Sequence, residues 1–441
     1  MKHLWGVMAT CLVACTLLNA QSTQWSGSLE GFGMYGSDDT LPFWAYANTF
    51  GRVEQGSNYY ALGTVKAKRE FARWGFLEVG AGILANNGGD PNVRADHYYA
   101  KYENYWFGIV AGKEQPDLEY NGLSAADPSY MFSNNARPLP GVKIYTPRPL
   151  LLGNNEVWQL EADWGEYILD DDRTIGNARV HTKQVNLIYN HDERNQLQAG
   201  FQHVALWDGA WPFKGTFFDG MADYATIWAG AMDREQSKNT ANGVMGDWNQ
   251  MATYRFKYKR TNRNFDIELF WDHMAELGPG LRMANFPDGR WGFYVQNKRD
   301  VPLWDNFLYE FYYTRNQSDR EGENENYFNH GVYTSGWTYH NRVIGVPFFI
   351  EGENGIISNR FIVHHFGLQG VIGTVPYKGK LSYRRNYGLK DQSYTGSKVI
   401  VSGLLEVFID NKVLPFTLFA AGDYSQENRN AALGVSVRKE F

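Results

Sequence analysis

Runs of about ten residues in which every second side chain is apolar recur along almost the whole chain. Trp158, Leu160, Ala162 and Trp164 alternate with Gln159, Glu161 and Asp163, and Phe265, Ile267, Leu269 and Trp271 with Asp266, Glu268 and Phe270. Tyr254, Phe256 and Tyr258 alternate with Thr253, Arg255 and Lys257, and Val399, Val401, Leu405, Val407 and Ile409 share a parity opposite Ser402 and Glu406. A period of two with one charged side is the pattern of a strand that has a wet face and an apolar face. An all-β fold follows. Aromatic residues at 16% argue against a disordered chain, and 42 basic against 48 acidic residues, dispersed rather than blocked, give no polycationic surface for nucleic acid.

The lengths of the connections choose between a soluble sandwich and a membrane barrel. Strands are expected near 24–35, 58–70, 72–84, 95–104, 106–114, 155–169, 180–191, 195–207 and 250–260. Further strands are expected near 264–274, 291–297, 303–315, 359–373, 376–388, 396–410, 414–425 and 430–441, and a weaker one near 140–147 makes eighteen. Links after even-numbered strands are then mostly short. The long ones, 36–57, 85–94, 115–139, 208–249, 275–290 and 316–358, follow odd-numbered strands. Short turns at one end, long loops at the other and an even strand number characterise bacterial outer-membrane barrels, whose long loops face the cell exterior. Leu433, Val435 and Val437 share a parity with the terminal Phe441, which resembles the signal read by the barrel-insertion machinery of Gram-negative bacteria.

The first twenty residues have the form of an export signal. Lys2 and His3 precede the apolar stretch from Leu4 to Leu18, and Asn19-Ala20 offers a cleavage point before Gln21. Leu12-Val13-Ala14-Cys15 resembles a lipobox, but Thr16-Leu17-Leu18 continues the apolar core, so ordinary cleavage is expected. Cys11 and Cys15 are the only cysteines, which leaves the mature barrel domain, 21–441, without disulfide, thiolate metal site or Cys nucleophile. No later run of eighteen apolar residues could form a transmembrane helix. The segment 217–230 alone has helical spacing, with Met221, Tyr224, Ala225 and Trp228 in one stripe, and a helix there is expected over or inside the barrel mouth.

The loops hold an ordered series of motifs. Leu41-Pro42-Phe43-Trp44-Ala45-Tyr46-Ala47-Asn48 is followed by Ser133-Asn134-Asn135-Ala136-Arg137-Pro138-Leu139-Pro140. Gly200-Phe201-Gln202-His203, Trp207-Asp208-Gly209 and Asn242-Gly243-Val244-Met245-Gly246-Asp247 come next. Asn285-Phe286-Pro287-Asp288-Gly289-Arg290-Trp291-Gly292 precedes Asn326-Tyr327-Phe328-Asn329, Tyr333-Thr334-Ser335-Gly336-Trp337-Thr338-Tyr339 and Arg342-Val343-Ile344-Gly345-Val346-Pro347. In this order the series resembles the Wzi family of capsule-assembly outer-membrane proteins, in the form found in Bacteroidota, from Leu41 onward. The resemblance implies an eighteen-stranded barrel blocked by its own loops, acting as a surface lectin for exported or capsular polysaccharide, with no catalysis. A strand pattern beginning at Trp25 leaves no room for the periplasmic helical bundle of the enterobacterial form.

Sugar sites stack apolar ring faces on Trp or Tyr and fix hydroxyls with amides, carboxylates and guanidinium groups. Trp44, Tyr46, Asn48, Arg137, Trp207, Asp288, Arg290, Tyr327, Asn329, Trp337 and Tyr339 supply that mixture and are the candidate polysaccharide contacts. Each has a structural alternative: rings can pack to close the mouth or lie in the interfacial girdle. Asp288-Gly289 can be a tight turn with a positive φ at the glycine. His203 and Trp207 are expected to enter the loop layer near the rim. His181, Lys183, Arg255, Lys257, Lys380, Arg384, Asp266, Glu268 and Asp272 are expected to point inward as lumen ion pairs, and Arg137, Arg290 and Arg342 are the best grips for an acidic glycan. Zinc-protease, nucleophile-elbow and phosphate-loop motifs are absent, and neither a cofactor nor a metal is expected. Beyond glycan, the expected partners are outer-membrane lipid and the insertion machinery. The competing reading is a porin or sugar-selective channel, which needs an open lumen.

Overall fold

In a computed structural model the described residues are 23–71, 74–89, 91–211, 215–216, 221–230, 248–276, 278–299, 303–318, 325–353, 355–411 and 414–441. The export signal and the motif at 242–247 lie outside them. Eighteen antiparallel staves form the wall. β1 is Gln24–Gly36, β2 Tyr59–Glu70, β3 Phe76–Asn86, β4 Val93–Glu103 and β5 Gly108–Lys113. β6 runs in two pieces, Gly141–Tyr145 and Leu150–Leu151, both paired to β7, Trp158–Leu169. β8 is Ala178–Asn190, β9 Asn195–Trp207, β10 Asn249–Thr261, β11 Phe265–Ala275, β12 Gly289–Asn297 and β13 Asn306–Tyr313. β14 is Phe361–Ile372, β15 Val375–Gly388, β16 Ser393–Ile409, β17 Phe416–Ser425 and β18 Arg429–Glu440.

Each stave pairs with its neighbours in sequence, and β1 closes the cylinder by pairing with both β2 and β18. Closure leaves no free edge strand, so the backbone of the described wall is paired strand to strand all the way round. At the seam Phe441 and Gly27 exchange two backbone hydrogen bonds of 2.9 and 3.0 Å. A side chain at residue 27 would meet the Phe441 ring at 2.7 Å, so the bare glycine lets the last residue lie flat on the first strand.

Alternation sorts the two faces. On β3, Leu77, Ala81 and Ile83 are exposed while Gly80, Gly82 and Leu84 are buried inward, and on β18 Leu433 and Val435 face out. Exposed Trp25, Trp74, Tyr105 and Trp106 ring the short-turn rim, and Tyr35, Tyr59 and Tyr424 the long-loop rim, where amphipathic rings favour the headgroup level. No helix of the described residues is long and apolar enough to cross a membrane.

Among the described residues three short helices interrupt the loops: α1 (Phe43–Tyr46), α2 (Met221–Ala229) and α3 (Gly278–Leu281). α1 sits inside the barrel. α2 corrects the expectation from its sequence, because it lies against the outside of the wall rather than over the mouth. It covers β9, where Ala205 and Trp207 pack with Ile227 and Tyr224, and it reaches β7 and β8, where the Tyr224 hydroxyl donates to Glu166 at 2.7 Å. His181 and Lys183 share the outward parity of exposed Val185 and Leu187, so they too point outward and not into the lumen. His181 bonds Glu166 at 2.6 Å and faces the Tyr224 ring, and the Lys183 ammonium lies 5.1 Å from the Trp228 ring. A carboxylate and two imidazoles on a lipid-facing wall need such a cover, and the amphipathic helix supplies it. The remaining seven residues expected inward do face the lumen.

Candidate functional site

Three long loops, 37–58, 114–140 and the described parts of 314–360, fold into the barrel and fill its long-loop half. They share one apolar core, in which Trp44, Tyr130, Tyr327, Phe328, Trp337, Tyr339, Phe348 and Phe349 are all essentially inaccessible. Phe348 stacks on Phe43 and meets Trp44 and Tyr312 edge-on, and Phe328 lies 4.2 Å from Phe349. A buried large apolar side chain contributes about 1.5–3 kcal/mol, so this cluster is a folded core in its own right. Main-chain bonds stitch the loops together: Phe50 N–H to Asn134 O at 2.6 Å, Ser133 N–H to Ile344 O at 2.8 Å and Val346 N–H to Tyr130 O at 3.2 Å. The plug is anchored to the wall where Ser124 and Ala125 donate to Glu310 and where the Trp44 indole donates to Ser382 at 3.0 Å.

Charges gather where the loops meet. Glu54 stands between Arg137 and Arg342, each 3.3 Å away, with Arg94 at 3.8 Å. Arg342 also reaches Glu351 at 3.6 Å, and Arg94 donates to Gly51 O and Asn86, so the guanidinium groups are held by several acceptors. Asp288 is fully enclosed and accepts hydrogen bonds from the Asn316 and Gln317 amides and the Tyr327 hydroxyl, at 2.7–2.9 Å. Burial nevertheless pushes its carboxyl up to about 7. Glu276, also enclosed, is raised well above the usual carboxylate range by burial, with Glu325 nearby adding to the effect.

The eleven sequence candidates fall into distinct places. Trp44, Tyr327, Trp337 and Tyr339 belong to the plug core, their polar atoms bonded to Ser382, Asp288, Met131 O and Asp170 respectively. Their rings are fully buried in this structure. Tyr46 lies at the edge of that core beneath the Arg342 guanidinium, 4.5 Å from its ring. Asn48, at φ 56°, donates to Ala125 O, and Asn329 brackets Ile356 with one bond to its carbonyl and one from its amide. Arg290 is wedged between Asp272 and Glu310 as a buried lumen ion pair, the structural alternative its sequence context offered. Gly289 has φ 134°, as the turn reading of Asp288-Gly289 expects. Trp207 stays on the outer wall beneath α2, as does His203, so neither enters the loop layer. Arg137, its side chain mostly enclosed and paired with Glu54, lines a cavity between plug and wall.

That cavity brings in Phe50, Phe132, Tyr167 and Thr182, which no motif singled out, together with Gln202 of the Gly200–His203 motif and Arg255 of the lumen set. Lumen parity of Gln202 and Arg255 was readable in the strand pattern. Their approach to Phe132 was not, because it depends on how loop 114–140 descends.

The described fold matches solved structures along its length. Wzi of Escherichia coli, an outer membrane protein involved in group 1 capsule assembly and a carbohydrate-binding β-barrel, aligns with a TM-score of 0.59 at 11% identity, covering 99% of this chain and 88% of that one. OccK5 (OpdH) of Pseudomonas aeruginosa aligns with a TM-score of 0.53 at 9% identity, covering 95% and 98%, and OccK3 (OpdO) of the same organism has the same score and identity, covering 95% and 96%. At such identities the likeness is one of fold. Compared by sequence with curated proteins, the chain matches none. The sequence profile of capsule assembly protein Wzi matches residues 45–366, most of the barrel and all three plug loops but for the first residues, and the chain belongs to that family.

Proposed function

We propose that this outer-membrane β-barrel acts as a surface lectin, holding exported polysaccharide at the cell surface in the assembly or attachment of a capsule. The observation that carries the reading is the plug: a lumen filled by a packed aromatic core suits binding at the mouth and not passage through it. Family membership and the carbohydrate binding of the Escherichia coli barrel support it. Tyr46 and Asn329, at the edges of the plug, and Arg137, in the cavity between plug and wall, are the proposed glycan contacts among the sequence candidates. Trp44, Asn48, Asp288, Tyr327, Trp337 and Tyr339 hold those edges in place. Residues 1–20 are proposed to be removed on export, leaving 21–441 as one barrel domain. The outward apolar band contacts lipid, and the Phe441 end is offered to the insertion machinery.

The test is the partition of polysaccharide between cells and medium in a strain lacking the protein. Polymer still made but shed supports the lectin. Unchanged partition overturns it.

A further inference from the structure

Between the plug and the wall from β5 to β10 lies a cavity of about 280 Å³. Phe50, Phe132 and Tyr167 turn half-buried rings toward it. Four of its lining side chains keep a buried polar atom without a hydrogen-bond partner: Thr182 Oγ1, Gln202 Oε1, Arg137 Nε and Arg255 Nη2. Thr182, Gln202 and Arg255 are at most 5% exposed. Arg255 already spends Nη1 on Gln184 at 3.2 Å, so the free Nη2 is a separate donor. Buried polar groups are nearly always paired, and four such atoms on one cavity indicate missing partners there.

The free atoms comprise one acceptor, two guanidinium donors and one hydroxyl able to do either. Neighbouring hydroxyl groups on a sugar, each both donor and acceptor, complement that set, and the rings suit its C–H face. The charged lining balances, with Glu114, Glu119 and Asp163 against Arg137, Lys143 and Arg255, so the cavity selects no ion. At ~30 Å³ per water its volume holds on the order of nine waters, the scale of one sugar unit and not of a chain. Glu119 also borders a second cavity, of about 260 Å³, lined by Gln196, Gln198, Lys257, Lys259 and Glu268 in the half of the wall nearest the short turns. Glu119 thus lies between this cavity and a void on the periplasmic side.

We propose that this lumen cavity binds a single neutral sugar residue of a glycan, from beneath the plug and separately from the surface mouth. The proposal rests on the polysaccharide-handling reading and adds to it a site and a ligand class. Its test is calorimetry on the purified barrel in detergent with D-glucose, D-galactose, D-mannose and D-glucuronic acid. At least one neutral hexose is expected to bind one to one, glucuronic acid at least tenfold more weakly, and Thr182→Val and Gln202→Leu each to weaken the hexose tenfold or more. Heat-modifiable gel migration confirms that each variant is a folded barrel; if one fails, the other carries the test. No hexose binding, or binding untouched by the variants, overturns the proposal and leaves a water-filled void. Shedding of polymer by the deletion strain alongside absent hexose binding would sink this site while leaving the lectin standing.

Discussion

Asp288 shows how one carboxyl ties the plug together and makes it sensitive to pH. It joins the residues before β12 to those after β13, through two amides held by its two oxygens. Because burial raises its folded value to about 7 from an ordinary 3.8, its contribution is complete below about pH 4 and is lost as pH rises through 7. Limited proteolysis of the 325–353 loop is expected to quicken from pH 5 to pH 8. Asp288→Asn strips one amide of its acceptor, costing ~1–3 kcal/mol, so it speeds cleavage at every pH and flattens the slope. The next residue bears a second prediction. At Gly289 an added Cβ would stand 2.0 Å from Asp272 O at a φ of 134°, so Gly289→Ala costs at least ~1–3 kcal/mol, read as a lower Tm of the purified barrel. The Asp-Gly pair made this turn legible in the sequence. The Arg290 clamp was not, because Asp272 and Glu310 reach it only through the register of three adjacent strands.

The staves were legible because period-two alternation survives in nearly all of them, and the observed bounds lie within a few residues of those expected. β6 read weakly since its pairing is interrupted between Tyr145 and Leu150. α2 illustrates what a stripe does not reveal. Helical spacing of Tyr224 and Trp228 identifies an amphipathic helix, yet either side of the wall would bury such a face. The parity of His181 with Val185 and Leu187 held the answer, and chemical polarity overrode it in the reading. If α2 is clamped by its contacts with β9, Ile227→Asp, which places a charge against Ala205 and Trp207, is expected to release it. Protease cutting within 221–230 should then increase at least tenfold with the wall's gel migration unchanged; equal cutting would mean that the helix is not held there.

The molecule as a whole is a wall enclosing a second folded body. In planar bilayers the intact protein is expected to show no stepwise conductance. Excising 325–353 with a short glycine linker removes a large part of the apolar core and should open discrete channels, provided gel migration still reports a closed barrel. Steps from the intact protein would favour a transport role instead. The plug also has an implication for the order of assembly. Arg342 bonds the carbonyl of Val53, 289 residues away, and Trp44 bonds Ser382, 338 residues away. Contacts so distant in the chain are slow to form and come after local ones. The loops cannot settle until the staves that carry them stand side by side, so the outward face is finished last. A half-built barrel displays no such face, and the proposed glycan surface therefore exists only on molecules whose construction is complete.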